Sequence, residues 1–328
     1  MILAGDIGGT NARLALFEKR QGQLNLHASA VYPSRSAPQF ADIVTQFLDE
    51  HPAPITHGCI GIAGPVENGH CRATNLPWNL DANALRQQFG CDSFTLLNDL
   101  EANAYGIGEL APGDLLTINP GKPAAVGNCA VIAAGTGLGE AGMFWDGSRH
   151  IPFATEGGHC DFGPRTALQV ELNHYLQQRL GHVSYETILS GEGLEYTYDF
   201  LISREAADSE PAWLQQRCQE KGKAAAISAT AMAGEFGPCS AALDLFIEIF
   251  GQEAGNLALK TMAKGGVYLG GGIAAKLAPV LQHSDLFMRG FRNKDKMQHL
   301  METIPVKLIL NEDTALLGAA AVGGSKES

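Results

Sequence analysis

The amino-acid sequence predicts an α/β protein built of two related units. Three observations carry that expectation. Leu3–Phe17 is a short apolar strand, a polar glycine turn and a second apolar strand. Through residue 105 the order is three strands, helix, strand, helix, strand, helix, the pattern of a mixed sheet covered by helices. Gly135–Phe144 then lies over Gly8–Phe17 without a gap, each beginning in a Gly/Thr turn and ending in Phe.

The elements follow in order. Leu24–Tyr32 alternates and reads as the third strand. Phe40, Ile43, Val44, Phe47 and Leu48 form one helical stripe, which His51-Pro52-Ala53-Pro54 ends. Gly58–Ala63 is a buried strand running into Gly64-Pro65. Asp81 is a cap for a helix that reaches Phe89 and stops at Gly90. Phe94–Leu97 is a strand ending on Asn98-Asp99, with a helix over Leu100–Tyr105. The Pro- and Gly-rich stretch Ala111–Asn128 marks the second unit. Cys129–Ala134 leads into the second hairpin, helices dominate from Arg165 to Lys264, and Val267–Leu269 and Val306–Leu310 are strands. Asp313 is expected to cap a last helix, Ala315–Ala321, packed back on the first unit. The domains expected are thus 1–109 with 312–328, and 110–311.

Composition excludes several classes. A net charge of −12 over 328 residues argues against a nucleic-acid or anionic-membrane surface. No apolar run is long enough to span a bilayer, and the first residues lack a basic region followed by an apolar one, so a cytoplasmic protein is expected. Seven cysteines without a CxxC pattern read as free thiols. His159-Cys160-Asp161 is not expected to gather around one metal ion, because neighbours on an extended chain point in opposite directions.

The turn at Gly8-Gly9-Thr10 has little side-chain bulk, so its amides can close around a phosphate while Asp6 holds a hydrated Mg²⁺ nearby. That points to a nucleotide-dependent phosphotransferase without a P-loop; no G-x-x-x-x-G-K-[ST] occurs. Gly137-Leu138-Gly139-Glu140-Ala141-Gly142 matches the dinucleotide fingerprint, with Asp161 about 20 residues on, but it continues into an apparent strand where that fingerprint needs a helix. Asn98-Asp99 stands at the carboxyl end of a strand, where open α/β sheets place ligands. Asp99 is there either a proton acceptor or a helix cap. Glu156-Gly157-Gly158-His159 pairs an acid and an imidazole around glycines, suited to vicinal hydroxyls or to a salt-bridged turn. Glu186 alone reads as a solvated helix position, and Gly270-Gly271-Gly272 as a flat bed for an adenine ring or a glycine-rich turn.

Gly5-Asp6-Ile7-Gly8-Gly9-Thr10-Asn11-Ala12-Arg13, Asn98-Asp99, Ala134–Gly139, Glu156–Phe162, Ser190-Gly191-Glu192-Gly193 and Leu269–Ile273 together resemble the bacterial glucokinase family, in its order and spacing over nearly the whole chain. The resemblance implies two ribonuclease-H-like domains of the actin/hexokinase/Hsp70-type fold with an interdomain cleft. It implies a kinase that phosphorylates D-glucose with ATP and Mg²⁺ at the start of glycolysis, and a homodimer, as family members commonly are. Asp99 would be the base on the 6-hydroxyl, and Asn98, Asp99, Glu156, His159 and Glu186 would bind glucose. Gly5, Asp6, Ile7, Gly8, Gly9, Thr10, Asn11, Arg13, Gly135, Thr136 and Gly137 would hold ATP, with Gly270, Gly271 and Gly272 bordering adenosine. The related repressor and kinase branch carries a cysteine-rich zinc site after its Glu-Gly-His segment; Cys160 stands alone here, so zinc is not expected. That branch's repressors also carry a DNA-binding helix–turn–helix ahead of the first strand, an arrangement not expected where the strand begins at once. The competing readings are a kinase for another hexose on this fold and a non-catalytic sugar sensor.

Overall fold

The computed structural model describes residues 1–73, 76–204 and 210–325, so the last three residues of the expected C-terminal segment lie outside it. The first sheet contains β1 (Ile2–Ile7), β2 (Asn11–Arg20), β3 (Gln23–Pro33), β4 (His57–Ile62) and β8 (Ser93–Asn98). Its order is β3-β2-β1-β4-β8, antiparallel through the first three strands and parallel from β1 to β8. Helices α1 (Phe40–Glu50), α2 (Ala82–Phe89) and α3 (Asp99–Gly106) join it. The stripe of α1 is buried at Ile43, Val44 and Phe47. Asp81 accepts from the Asn83 and Ala84 amides, and Gly90 ends α2 in the left-handed region. A small sheet of β5 (Val66–Glu67), β6 (His70–Arg72) and β7 (Asn79–Asp81) also lies here. Two- and three-residue strands carry too little alternation to be read from sequence.

The second sheet has β9 (Leu115–Asn119), β10 (Cys129–Ala134), β11 (Leu138–Trp145), β12 (His150–Thr155), β13 (Gly266–Gly270) and β14 (Val306–Ile309). Its order, β12-β11-β10-β13-β14-β9, repeats the first sheet and adds β9 at the edge. Strand β9 lies inside the Pro- and Gly-rich stretch that marks the second unit, where antiparallel pairing with β14 holds it as an edge strand.

The gap-free superposition of the two hairpins is corrected. Ile7 pairs with Ala12 across residues 8–11, whereas Ala134 pairs with Leu138 across residues 135–137, one residue fewer. A one-residue slip turns every side chain to the other face. Phe17 is accordingly 3% exposed and Phe144 52%, so the two are not counterparts.

The helical segment comprises α4 (Ala167–Leu180), α5 (Tyr185–Ile188), α6 (Gly191–Arg204), α7 (Ala212–Lys221), α8 (Lys223–Ala233) and α9 (Gly237–Thr261). Helices α10 (Gly271–Lys276), α11 (Ala278–His283), α12 (Leu286–Arg292) and α13 (Gln298–Thr303) lie between β13 and β14. Their core includes the fully buried Tyr198, Phe246, Phe250, Phe287 and Phe291.

The last helix among the described residues is α14 (Thr314–Gly324), longer than expected. Asp313 makes no cap bond; its carboxylate meets Arg13 at 3.2 Å instead. Ala315, Leu316, Ala319 and Ala320 pack with Ile2, Ala4, Cys59 and Ala102 of the first sheet and α3. The opposite side of α3 reaches the second sheet, where Leu100 and Ala104 pack with Val131, Ala141 and Met143. One short helix thus touches both halves, and it begins at Asp99.

Candidate active site

The first glycine turn is closed by the Gly8 amide donating to the Asn11 carbonyl at 2.9 Å. Ser34, fully buried, braces it from outside. Its hydroxyl donates to Gly8 O at 2.7 Å and its amide to Thr10 O at 2.8 Å. No local signal marks Ser34, because its partners are 24 or more residues away in sequence. Thr10 and Asn11 are exposed at the tip, and Arg13 reaches away to Glu312 and Asp313 at 3.2 Å each. Asp6 is half-buried opposite Arg13. Burial first, then the charge of Asp99, pushes its carboxyl up to about 6, against the pull of Arg13.

The structure gives the helix cap to Asn98 and not to Asp99. Asn98 is the cap: its Oδ1 accepts from the Leu100 and Glu101 amides at 2.9 and 3.3 Å. Its Nδ2 donates to the Gly64 carbonyl at 3.3 Å, which fixes the amide orientation. Asp99 is the first helical residue, and its Oδ1 accepts the Leu100 amide at 2.9 Å. Burial raises its pKa above the usual carboxylate range; the Leu100 amide opposes this and the Glu156 charge reinforces it.

The remaining acids converge from the second unit. Glu156 follows β12, and His159 lies in the turn after it. Ser184 caps α5 and so presents Glu186 at its first turn. His159 sits between the two acids, Nε2 at 4.0 Å from Glu156 Oε2 and Nδ1 at 3.8 Å from Glu186 Oε1. The imidazole can donate to either side, so the trio offers acceptors and a donor to a polyol. Glu186 is half-buried, and its Oε2 accepts the Leu138 amide at 2.9 Å. Alone in sequence it reads as a solvated helix position; the structure brings it against the second hairpin and beside His159.

The second turn closes by the Gly135 amide on Gly137 O at 2.9 Å, and the Gly191 amide bonds Gly135 O at 3.0 Å. Thr136 is exposed at its tip. Gly270 ends β13 beside Ala133. Gly271, at φ +87°, passes so close to β10 that a Cβ would lie 2.2 Å from Ala134 O. The triple glycine and the second hairpin therefore meet. Gly139–Gly142 lies within β11 and opens no helix, which removes the dinucleotide reading.

Two sheets of one topology, meeting at a helix that starts on a half-buried acid and faced by a cluster of two acids and an imidazole, define a class: a sugar kinase of the actin/hexokinase/Hsp70-type fold. The glucokinase family model matches residues 3–325. The glucokinase of Nostoc punctiforme is 39% identical over 98% of this chain and 98% of its own. A crystal structure of glucokinase from an Antarctic psychrotroph superposes with a TM-score of 0.82 at 30% identity, covering 99% of this chain and 98% of its own. A glucokinase from Streptomyces griseus in complex with glucose and AMPPNP shares the fold at a TM-score of 0.64 and 18% identity, covering 99% of each chain. The chain belongs to the glucokinase family, the ATP:D-glucose 6-phosphotransferases. Among the described residues no helix is long and apolar enough to cross a membrane.

Proposed function

We propose that this chain transfers the γ-phosphoryl group of ATP directly, in line, to the 6-hydroxyl of D-glucose, with no phospho-enzyme. The observation that carries the reading is the convergence of Glu156, His159 and Glu186 on the half of the molecule facing Asp99. Asp99 accepts the proton of the 6-hydroxyl as its oxygen attacks phosphorus, a contribution of about 10²–10⁴ in rate. Asn98, Glu156, His159 and Glu186 hold the sugar hydroxyls. The amides of residues 8–11 and 135–137 take charge that builds on the transferred group, and Gly270–Gly272 border adenosine. Arg13 adds positive charge beside the first turn. Closure of the two units excludes water from the reaction.

The residues fit Mg²⁺. Asp6 and Asp99 crowd two carboxyls of like charge in a half-buried place, and an oxygen donor with room for water suits that ion. Asp6 would hold it through water; when bound, magnesium neutralises phosphate charge. We further propose the domain division 1–109 with 312–328 against 110–311, supported by the packing of α14 on the first sheet. A homodimer is proposed on the family resemblance, and a cytoplasmic location on the absence from the sequence of a long apolar run and of a basic region followed by an apolar one.

The test is ADP release measured with glucose, mannose, fructose and N-acetylglucosamine in turn. Glucose should give the highest kcat/KM. Preference for another sugar would reassign the substrate, and no sugar-dependent turnover would leave a sensor.

A further inference from the structure

Two acids lie behind the sugar-facing cluster, and phosphoryl transfer as described leaves them without a task. Glu140 on β11 is 2% exposed and Glu253 on α9 is fully buried. Their side chains are in hydrogen-bonding contact, yet Glu140 Oε1 and Glu253 Oε1 have no hydrogen-bond donor. Lys260 Nζ reaches Glu253 Oε1 at 3.5 Å as an ion pair. Two ionised carboxylates in such a place would repel and leave buried lone pairs unmet. One shared proton resolves both.

We propose that Glu140 and Glu253 share a proton, and that this dyad is the positioning element for both sugar-facing segments, setting the enzyme's affinity for sugar. The inference rests on the glucokinase reading above. On one side Glu140 supports the loop that carries Glu156 and His159. Gly157 lies directly on it: a Cβ there would stand 1.9 Å from Glu140 Oε2. Thr155 ties the same loop down, its hydroxyl donating to Glu140 O at 3.0 Å and accepting the Gly157 amide at 3.3 Å. On the other side Glu253 Oε2 accepts from Asn256 Nδ2 at 2.7 Å, and that amide also donates to the Tyr185 hydroxyl at 3.0 Å. Tyr185 precedes Glu186 on α5, and its amide bonds Cys160 O at 3.0 Å, next to His159. The dyad therefore lies where the two segments are joined.

The proton falls to Glu140, because Glu253 has the Asn256 amide and the Lys260 ammonium to support its ionised form while Glu140 Oε1 has no donor. Burial above all, then the charge of Glu253, pushes that carboxyl up to about 8. Glu253 is raised by burial as well, but Asn256, Lys260, Tyr185 and Lys294 favour its ionised form. The charged groups facing the dyad are Lys260 on α9, and Lys294 after α12, itself pushed down to about 8 by burial and by Arg165. Tyr185 on α5 is pushed up to about 12 and stays neutral. As pH rises past about 8 the dyad gains a second negative charge, and the two segments loosen.

The experiment follows glucose KM and ATP KM against pH for the wild type, Glu140→Gln and Glu140→Ala. Gln stays neutral and still donates to Glu253. Glu140→Gln should keep glucose KM within about 3-fold of wild type below pH 8 and lack the wild type's rise above it, with ATP KM unaffected. Glu140→Ala should raise glucose KM by about 10-fold or more at nearly constant ATP KM. The same glucose-KM profile in wild type and Glu140→Gln would overturn the proposal, as would equal rises for both substrates in Glu140→Ala. Because Lys294 titrates nearby, a rise that persists in Glu140→Gln assigns the effect to Lys294 and also overturns it. Thermal melting separates this from the kinase reading. A carboxyl raised from 4.5 to about 8 on folding stabilises fully below 4.5 and loses that contribution as pH climbs to about 8. Glu140→Gln should flatten that part of the wild-type melting profile even if glucose is not the substrate. An unchanged profile would sink the shared proton itself.

Discussion

Glu186 Oε2 accepts the Leu138 amide at 2.9 Å, so a side chain assigned to the sugar is anchored on the hairpin assigned to phosphate. The two proposed binding functions are linked by that hydrogen bond, and each should be open to perturbation through the other.

Gly137 makes the coupling measurable. A Cβ at this position would stand 2.3 Å from Glu186 Oε2, the far end of a side chain that can swing away. Gly137→Ala should therefore displace Glu186 and raise glucose KM by about 10-fold, more than it raises ATP KM. Steady-state kinetics with each substrate varied in turn checks this. A larger effect on ATP would mean that Gly137 acts through phosphate contact alone.

Asp99→Asn preserves size and the bond from the Leu100 amide while removing the proton acceptor. It should lower kcat by at least about 10²-fold with glucose binding largely retained. Turnover assays paired with titration calorimetry of glucose give the two numbers. Near-normal turnover would remove Asp99 from its role.

Glu156→Gln carries a pH signature. As the proposed base, Asp99 must be ionised, so activity should fall as pH drops through its raised pKa. Glu156 contributes to that elevation by like charge. Its neutralisation should move the acid limb of the kcat profile to lower pH, and glucose KM should rise while ATP KM holds. An acid limb that moves upward would contradict the arrangement of the two acids.

Gly318→Ala tests the joint between α14 and α3. The added Cβ would lie 1.8 Å from the Ala102 carbonyl oxygen, a backbone atom that cannot turn aside. Overpacking of this kind costs about 1–3 kcal/mol. Thermal melting should show a clear fall in Tm, and kcat should fall too because α3 carries Asp99.

Much of the molecule was legible in the chain itself. Glycine spacing, apolar strands and caps are local, so the hairpins, the Asp81–Gly90 helix, the strand running into Asn98-Asp99 and the family motifs could all be read directly. What tertiary structure decided concerns partners distant in sequence. Strand β9 exists through pairing with β14. Asp313 leaves its cap for Arg13, 300 residues away, and Ser34 braces the turn at Gly8, 26 residues earlier. Asn98 rather than Asp99 takes the cap, which either side chain could have done chemically; only the positions of Gly64 and the helix amides distinguish them. Glu186 and Glu140 show the limit most plainly. One would pass for a solvated acid and the other for part of a glycine motif, because burial and charge neighbours are properties of packing, and packing sets what a carboxyl does.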